Sequence, residues 1–302
     1  MTVSKGRIDK LLVEQAEDLA SLEAKQARNI LRAYDDARRE IRERLVSASV
    51  SPNSRQALRV LLTQAESGVK ALKKRLTTEL GSSIDAITDK ALADLIQLTR
   101  AGEVIGKEAG NAVFTNAMRE IASTRKLLLH KYSIDKYGSQ LIAEIQRELL
   151  QGIASGKTID QIAARVASPK RSVLSISRPQ SMLITRMELN RAYNAAHHEG
   201  LLQTEKIVGE DDEDPLLKRA DEYLDARAHP LSMALHGMTV AINEPWRVPI
   251  AAVQKYAALA KKRATGILWP KSGAYYVGMS YPAHYGERGR QTAWRASWGK
   301  ST

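Results

Sequence analysis

Side chains that could carry out chemistry are concentrated in the C-terminal part of this 302-residue chain. An arginine-bearing helix comes first, two histidine-marked segments follow it, and a third histidine lies near the C-terminus. Carboxylate and imidazole groups serve as metal ligands and as the acids and bases of hydrolytic centres. The candidate polar cluster consists of Arg186, Glu188, Arg191, Asn194, Asp225, Arg227, His229, His236 and His284.

The arginine-bearing helix allows two interpretations. Arg191, Asn194 and His198 are spaced three and four residues apart, so a helix places them on one face, with Arg186 offset from them. In one interpretation, Glu188 and Arg191 form an ordinary surface ion pair. In the other, the helix supplies polar ligands to a site that is completed by the later histidines.

The histidine-marked segments allow three interpretations. Asp225, Arg227 and His229 alternate, so an extended segment would place all three on one side. Together with the other histidines they could hold a metal, form a hydrolytic centre, or form a structural network in which Asp225 pairs with His229. Their spacing matches no metal signature, and the sequence contains no G-x-S-x-G serine motif. We therefore favour the structural network and expect no catalytic residue, metal or cofactor.

The C-terminal segment interleaves arginine with tryptophan. Such a segment can bind phosphates and stack on nucleic-acid bases or on a partner protein. It could equally be a C-terminal strand whose tryptophans fill the core. The candidate contact residues are Arg288, Arg290, Trp294, Arg295 and Trp298.

Long helices must position these residues. A stripe of Leu, Ile and Ala predicts one helix over residues 4–48, and the Ser51–Ser54 stretch ends it at Pro52. The next helix carries a short a/d seam from Leu58 to Leu76, which favours an intramolecular hairpin over an extended coiled coil. Gly81-Ser82-Ser83 predicts an interruption. Further helices are predicted over residues 84–98, 108–130, 137–153, 182–206 and 250–263.

Gly152 to Thr158 resembles a phosphate-binding loop but is one residue too short and follows a helix. A glycine at the end of one helix, followed by a capping box from Thr158 to Gln161, explains it instead. The acidic run from Glu210 to Asp214 is interpreted as a solvated loop.

Proline, glycine and aromatic residues become more frequent after Pro215, which predicts a small α+β unit with strands over 238–242 and 274–279. The predicted fold class is α+β and predominantly helical, with a long N-terminal helical bundle or hairpin followed by a compact α+β C-terminal domain. The predicted division is an elongated helical region over 1–135 and a domain over 136–302, made of a helical lead-in (136–208) and an α+β unit (215–302).

Composition limits the function classes. The net charge of +12 and the pI near 9.8 favour a polyanionic neighbour. The chain has no cysteine, so disulfides, thiolate metal sites and cysteine nucleophiles are excluded. Neither a signal peptide nor a membrane-spanning apolar run is apparent, so we expect synthesis in a cytosol and no membrane partner.

Read in order, these segments resemble the phage Mu F-like minor head protein family, also called the phage head morphogenesis family. The helix and capped glycine from Leu149 to Val166 match its lead-in. Three further pieces follow in order: Arg186 to Asn194, then Asp225, Arg227 and His229 with His236-Gly237, and finally Pro282 to Arg288. The closing cysteines of the family are absent, because Gly286 to Gly289 occupies their place. A metal site built on those cysteines cannot exist in this chain.

The resemblance covers residues 140–290 and implies a minor structural protein of a tailed-bacteriophage head. It implies no enzyme activity. Its expected partners are the portal protein and other head or scaffold proteins, and the basic charge suits packaged double-stranded DNA. Oligomerisation is compatible with such a role. The expected location is the virion, at the capsid interior or portal vertex, and the host cytoplasm during assembly. The alternatives are a metal-assisted, nuclease-like hydrolase centred on the histidines and a non-specific DNA-binding protein.

Overall fold

The computed structural model describes residues 5–48, 55–101, 135–167, 178–208, 213–222, 228–261, 263–265, 267–278 and 289–299. Long helices dominate these residues, and small antiparallel sheets occur only in the C-terminal region. The predicted class, predominantly helical α+β, is confirmed. None of the described helices combines the length and the apolar character needed to cross a membrane.

The two longest helices are α1 (Lys5–Ser47) and α2 (Arg55–Ala101). The bounds of α1 agree with the prediction, but the predicted interruption at Gly81-Ser82-Ser83 is wrong because α2 runs through it. Leu80, Ile84 and Ile87 are buried, so the apolar stripe continues in register across the glycine. A single glycine inside a helix costs about 1 kcal/mol, which burial of that stripe offsets.

Two shorter helices follow the undescribed range 102–134, which includes the predicted helix over 108–130. Helix α3 (Asp135–Ala154) ends where Gly156 adopts a positive φ of 65°, and α4 (Ile159–Ala167) begins directly after Thr158. The predicted capping box is confirmed, because Thr158 Oγ1 accepts from the Gln161 N–H at 3.3 Å and Gln161 Oε1 accepts from the Thr158 N–H at 3.1 Å. The segment that resembles a phosphate-binding loop is therefore a short turn between α3 and α4.

The remaining helices are α5 (Arg178–Val208), α6 (Pro230–Leu235) and α7 (Ile250–Leu259), with a final 3-10 turn over Ala296–Gly299. Helix α5 extends the prediction over 182–206 at both ends. Helix α7 is shorter than the predicted 250–263 and ends before Lys261, which adopts a positive φ of 51°.

Within the described ranges, strands form two antiparallel sheets. The first has the order β2-β1-β6, with β1 (Leu217–Asp221) between β2 (Thr239–Ala241) and β6 (Arg290–Trp294). The second has the order β3-β5-β4, with β5 (Tyr275–Gly278) between β3 (Trp246–Pro249) and β4 (Lys271–Ser272). Strands β2 and β5 confirm the two sequence-predicted strands. In the first sheet, Asp221 is paired with Arg290 and Leu217 with Trp294.

Contacts divide the chain into two units, each built from separate stretches of sequence. The first unit comprises Met1–Glu23, Ser83–Arg125 and Arg186–Thr302, and the second comprises Ala24–Ser82 and Lys126–Thr185. In the second unit, α1 and α2 are joined by a Glu40–Arg75 ion pair of 2.9 Å and an Asn29–Glu79 hydrogen bond of 3.2 Å.

The first unit contains both sheets and two apolar clusters. One cluster joins the N-terminal end of α1 and the C-terminal end of α2 to Leu201 of α5 and to Trp294 and Trp298. The other cluster packs α6 and α7 against Trp246 and Trp269. All four tryptophans of the chain are thus core residues of the first unit, with 9% exposure or less.

Candidate functional site

The middle of α5 is joined to the C-terminal strand by amide side chains. Asn194 is fully buried; its Oδ1 accepts from the Gln291 N–H at 2.8 Å, and its backbone carbonyl accepts from Gln291 Nε2 at 2.9 Å. One turn earlier, Asn190 Nδ2 donates to the Gly289 carbonyl at 2.7 Å. The Nδ2 of Asn194 also donates to the Asn190 carbonyl at 2.9 Å. These bonds connect residues about one hundred positions apart in sequence, and so fix α5 on β6.

Arg290 lies beside this helix–strand contact and is only 2% exposed. Its Nε and Nη2 donate to Asp221 Oδ2 at 3.1 Å, across the β1–β6 pairing. Its Nη2 also donates to the Leu12 carbonyl of α1. A buried guanidinium requires a counter-charge, which Asp221 supplies here. The Nη1 of Arg290 is buried and has no hydrogen-bond partner among the described residues. Through Nε and Nη2, Arg290 links three elements of the first unit: α1, β1 and β6.

Asp94 of α2 lies at the centre of a second set of contacts. Its carboxylate accepts from Tyr193 Oη at 2.8 Å and from Lys90 Nζ at 3.0 Å. Its backbone carbonyl accepts from Gln15 Nε2 of α1 at 3.0 Å. Burial raises the pKa of Asp94, and the Lys90 hydrogen bond opposes that shift. Burial also raises the pKa of Tyr193, which keeps the phenol protonated as the donor.

His197 completes the buried set. Its ring stacks on Tyr193 with centroids 5.9 Å apart and planes 20° apart. Burial lowers the pKa of His197 to about 3, and the nearby positive charge of Arg290 acts in the same direction. We call the whole set the polar framework. Its members are Asp94, Asn190, Tyr193, Asn194, His197, Asp221, Arg290 and Gln291.

His197 gives the fold an acid sensitivity. The folded state keeps the imidazole neutral down to about pH 3, whereas in the unfolded chain it takes up a proton near its ordinary pKa of 6.5. Unfolding therefore binds a proton between these values, and stability is complete above pH 6.5 and lost as the pH falls below it. The expected loss from this group is about 1.4 kcal/mol per pH unit.

Urea unfolding of the wild type and of His197→Leu at pH 6.5, 6.0, 5.5 and 5.0 checks this expectation. The difference between the two proteins cancels the carboxylate contributions, and should change by about 2 kcal/mol over that range. Parallel curves for the two proteins would show that His197 is not buried as a neutral ring. Burial also lowers the pKa of His198, so some pH dependence should remain in the variant.

The charged residues of the arginine-bearing helix form ion pairs. Glu188 accepts from Arg191 Nη1 at 3.3 Å, so the two residues form the ion pair of the first interpretation, with the Arg191 side chain 39% and the Glu188 side chain 15% exposed. Arg186 instead donates from Nε to Glu23 Oε2 of α1 at 3.0 Å, and the Glu23 side chain is 6% exposed. The Glu188–Arg191 pair lies within α5, whereas the Arg186–Glu23 contact joins α5 to α1 in the first unit.

The histidine-marked segments also have structural roles. His229 is the N-cap of α6: its Nδ1 accepts from the Leu231 N–H at 3.1 Å, and its Nε2 is 3.0 Å from the Thr265 carbonyl. Both ring nitrogens are thereby occupied in a neutral ring with its proton on Nε2. His236 Nδ1 accepts from the Glu222 N–H at 3.2 Å. Gly237 follows with a φ of 78°, a left-handed conformation that favours glycine.

The C-terminal segment contains a strand whose tryptophan is buried in the core, as the second interpretation of this segment predicted. Arg290, Trp294 and Trp298 are at most 9% exposed. The expectation that these three residues contact nucleic acid is corrected, because buried rings and a buried guanidinium cannot reach bases or phosphates. Trp294 is also covered by Arg219, whose guanidinium carbon lies 4.1 Å from the ring centroid. Arg295 lies 4.0 Å from Asp214, and its side chain is 15% exposed.

The acidic run was interpreted as a solvated loop, but this is wrong for Asp214, whose carboxylate is hydrogen-bonded to Ser297. It accepts from the Ser297 N–H at 3.1 Å and from Ser297 Oγ at 2.5 Å, so it holds the final 3-10 turn. These hydrogen bonds lower the pKa of Asp214 against the opposing effect of burial. Glu213 is exposed, and residues 210–212 lie outside the described ranges.

Four of the candidate residues lie outside the described part of the chain, namely Asp225, Arg227, His284 and Arg288. The predicted Asp225–His229 pair therefore stays a prediction. Among the residues that the structure describes, no three His, Asp or Glu side chains are grouped to hold a metal ion.

Most of the polar framework was not predicted from the sequence. Of its members, only Asn194 and Arg290 were candidate residues. Arg290 was predicted to contact nucleic acid or a partner protein, which would require it to be exposed. One signal was present: Asn190, Asn194 and His197 are spaced four and three apart, directly beside the apolar positions Leu189 and Ala196. Polar residues at helical spacing next to an apolar stripe indicate a buried hydrogen-bonded network.

Comparison with known proteins adds no relative. No protein-family model matches the chain. No curated protein and no solved structure matches it either.

Proposed function

We propose that this chain is a minor structural protein of a tailed-bacteriophage head, associated with the portal and with packaged DNA. The proposal takes its family from the resemblance of residues 140–290 to the phage Mu F-like minor head proteins. In this role the chain acts as a non-enzymatic component that assists head assembly or genome delivery.

The observation that carries the proposal is the use made of the motif residues. Arg186, Asn194, His229 and His236 each hydrogen-bond to another part of the first unit. These residues of the family-like segment thus join different parts of the first unit, with Asn194 fully buried and His236 exposed. That use supports a structural protein, whose sequence motif preserves a shape, over a hydrolase, whose motif would present reactive groups to a substrate.

Partners follow from the same proposal. The portal protein and other head or scaffold proteins are the proposed protein partners, and double-stranded DNA is the proposed polyanion for a chain of net charge +12. The proposed location is the virion, with the host cytoplasm as the site of assembly.

Mass spectrometry of purified particles tests the proposal. DNA-filled heads from a phage or induced prophage that carries this gene should contain the chain in a few copies per portal vertex. Heads made after disruption of the gene should be fewer, or should deliver DNA poorly. Absence of the chain from purified particles, together with unchanged particle yield and infectivity, would overturn the proposal.

A further inference from the structure

The charge of this protein is divided unequally between its two units. The second unit has 22 Lys or Arg and 10 Asp or Glu, a net charge of +12. The first unit has 24 of each kind and is neutral. The first unit contains the motif residues and the arginine–tryptophan segment, yet the second unit accounts for the whole net charge.

Exposed cations follow one face of α1 within the second unit. They are spaced by three, four, seven and three residues, which keeps them on one side of a helix. All are exposed, and we call them the α1 cation row: Lys25, Arg28, Arg32, Arg39 and Arg42.

Few of these cations are neutralised by neighbours. Within the described part of the chain, Lys25, Arg28, Arg32 and Arg42 have no carboxylate partner. Arg39 pairs with Asp36, but its side chain is 70% exposed, and such surface pairs contribute little. Three acidic residues also lie along this face, namely Asp35, Asp36 and Glu43. Asp35 pairs with Arg38 at 3.3 Å, and Glu43 is exposed.

From these features we infer that the α1 cation row is a binding surface for the phosphate backbone of double-stranded DNA. The inference rests on the proposed function for the choice of polyanion, and names the surface on which that polyanion lies. Four of the five cations are arginine, whose planar guanidinium binds phosphate oxygens in a bidentate manner. From Lys25 to Arg42 the row extends about 25 Å, which corresponds to about seven base pairs of duplex DNA.

The composition of the row favours a duplex over a single strand. Single-stranded nucleic acid is held by aromatic side chains that stack on bases. The exposed face from Lys25 to Arg42 has no aromatic residue, and the four tryptophans are buried in the first unit. Contacts of this kind read no base sequence, so binding should be non-specific and strongly salt-dependent.

Salt-titrated binding of a labelled 30-base-pair DNA of random sequence tests the inference. The test variant is Arg28→Gln/Arg32→Gln/Arg39→Gln. The matched control is Arg247→Gln/Lys255→Gln/Arg263→Gln, which removes the same charge from exposed positions of the first unit. The full-length wild-type chain is the reference, and circular dichroism confirms that both variants fold.

The test variant should bind at least ten-fold more weakly, and the slope of log K against log salt should fall by about three, since each lost phosphate contact removes about 0.9. The control should keep most of the wild-type slope. Equal losses in both variants would overturn the inference, as would equally tight binding of single-stranded DNA or of polyglutamate through the same residues.

This result is separable from the particle experiment. If the chain is found in virions but substitutions in the α1 cation row leave its DNA affinity unchanged, the proposed function stands and the inference about the row is wrong. If the chain is absent from virions but binds duplex DNA through the row, only the proposed function is wrong.

Discussion

Replacing Arg290 with methionine should lower the free energy of unfolding by about 2 to 3 kcal/mol, because it leaves the Asp221 carboxylate, whose side chain is 20% exposed, and the Leu12 carbonyl without their donor. The guanidinium is 2% exposed and donates to Asp221 and to the Leu12 carbonyl. Methionine fills part of the volume but supplies no donor. Urea unfolding monitored by the far-ultraviolet circular dichroism of the helices measures the change.

Arg247→Met is the matched control for that variant. Arg247 lies on β3 in the same unit, and its side chain is exposed. The control should differ from the wild type by no more than about 0.5 kcal/mol. If Arg290→Met were as stable as this control and lost only DNA affinity, the arginine would be a surface ligand, and the framework description would be wrong at that residue.

Replacing Asn194 with alanine should lower the free energy of unfolding by about 2 to 4 kcal/mol, because it leaves buried polar groups unpaired and opens a small cavity. The variant strands the Gln291 N–H, which donates to Asn194 Oδ1 at 2.8 Å. It also removes the donor to the Asn190 carbonyl. Since these bonds attach α5 to β6, hydrogen exchange of the β6 amides should accelerate in the variant.

Asn243→Ala provides the comparison for this second variant. Asn243 is exposed and makes a long hydrogen bond of 3.5 Å to Glu205. Its replacement should cost less than about 0.5 kcal/mol. A similar loss at both positions would mean that Asn194 is solvated and that α5 is not bonded to β6 through its side chain.

Helical periodicity was sufficient to predict most of the described helices, but not α6. It predicted α1 within one residue at each end. The change in composition after Pro215 predicted the strands over 239–241 and 275–278, and a local capping signature predicted the capping box at Thr158. The helix prediction failed at Gly81-Ser82-Ser83, where local propensity predicted a break. Burial of Leu80 and Ile84 on one continuous stripe outweighs the cost of the glycine, so α2 continues.

The candidate site could not be assembled from local patterns. The partners of Asn190 and Asn194 are 97 to 99 residues away, at Gly289 and Gln291. Sequence spacing carries no information on such pairings when a helix meets a distant strand. The charges of the C-terminal segment were misleading for the same reason, because a buried arginine and an exposed one look alike until Asp221 and the Leu12 carbonyl are placed beside it.

The two units differ in how their polar and charged residues are used. In the first unit, Arg186 and Asn194 bond to Glu23 and Gln291 and so hold parts of the fold together. In the second unit, cations on one face of α1 are exposed. We propose that the shape of the first unit and the charge of the second together suit a component of a DNA-filled phage head.

A double-mutant cycle between Arg290 and Asp221 tests the central claim most directly, since the claim is that these charges hold the fold. Unfolding free energies of Arg290→Met, Asp221→Asn and the double variant give the coupling energy. The bonds of 3.1 Å between the two side chains predict a coupling of about 2 kcal/mol. Additive effects, with a coupling near zero, would contradict the account.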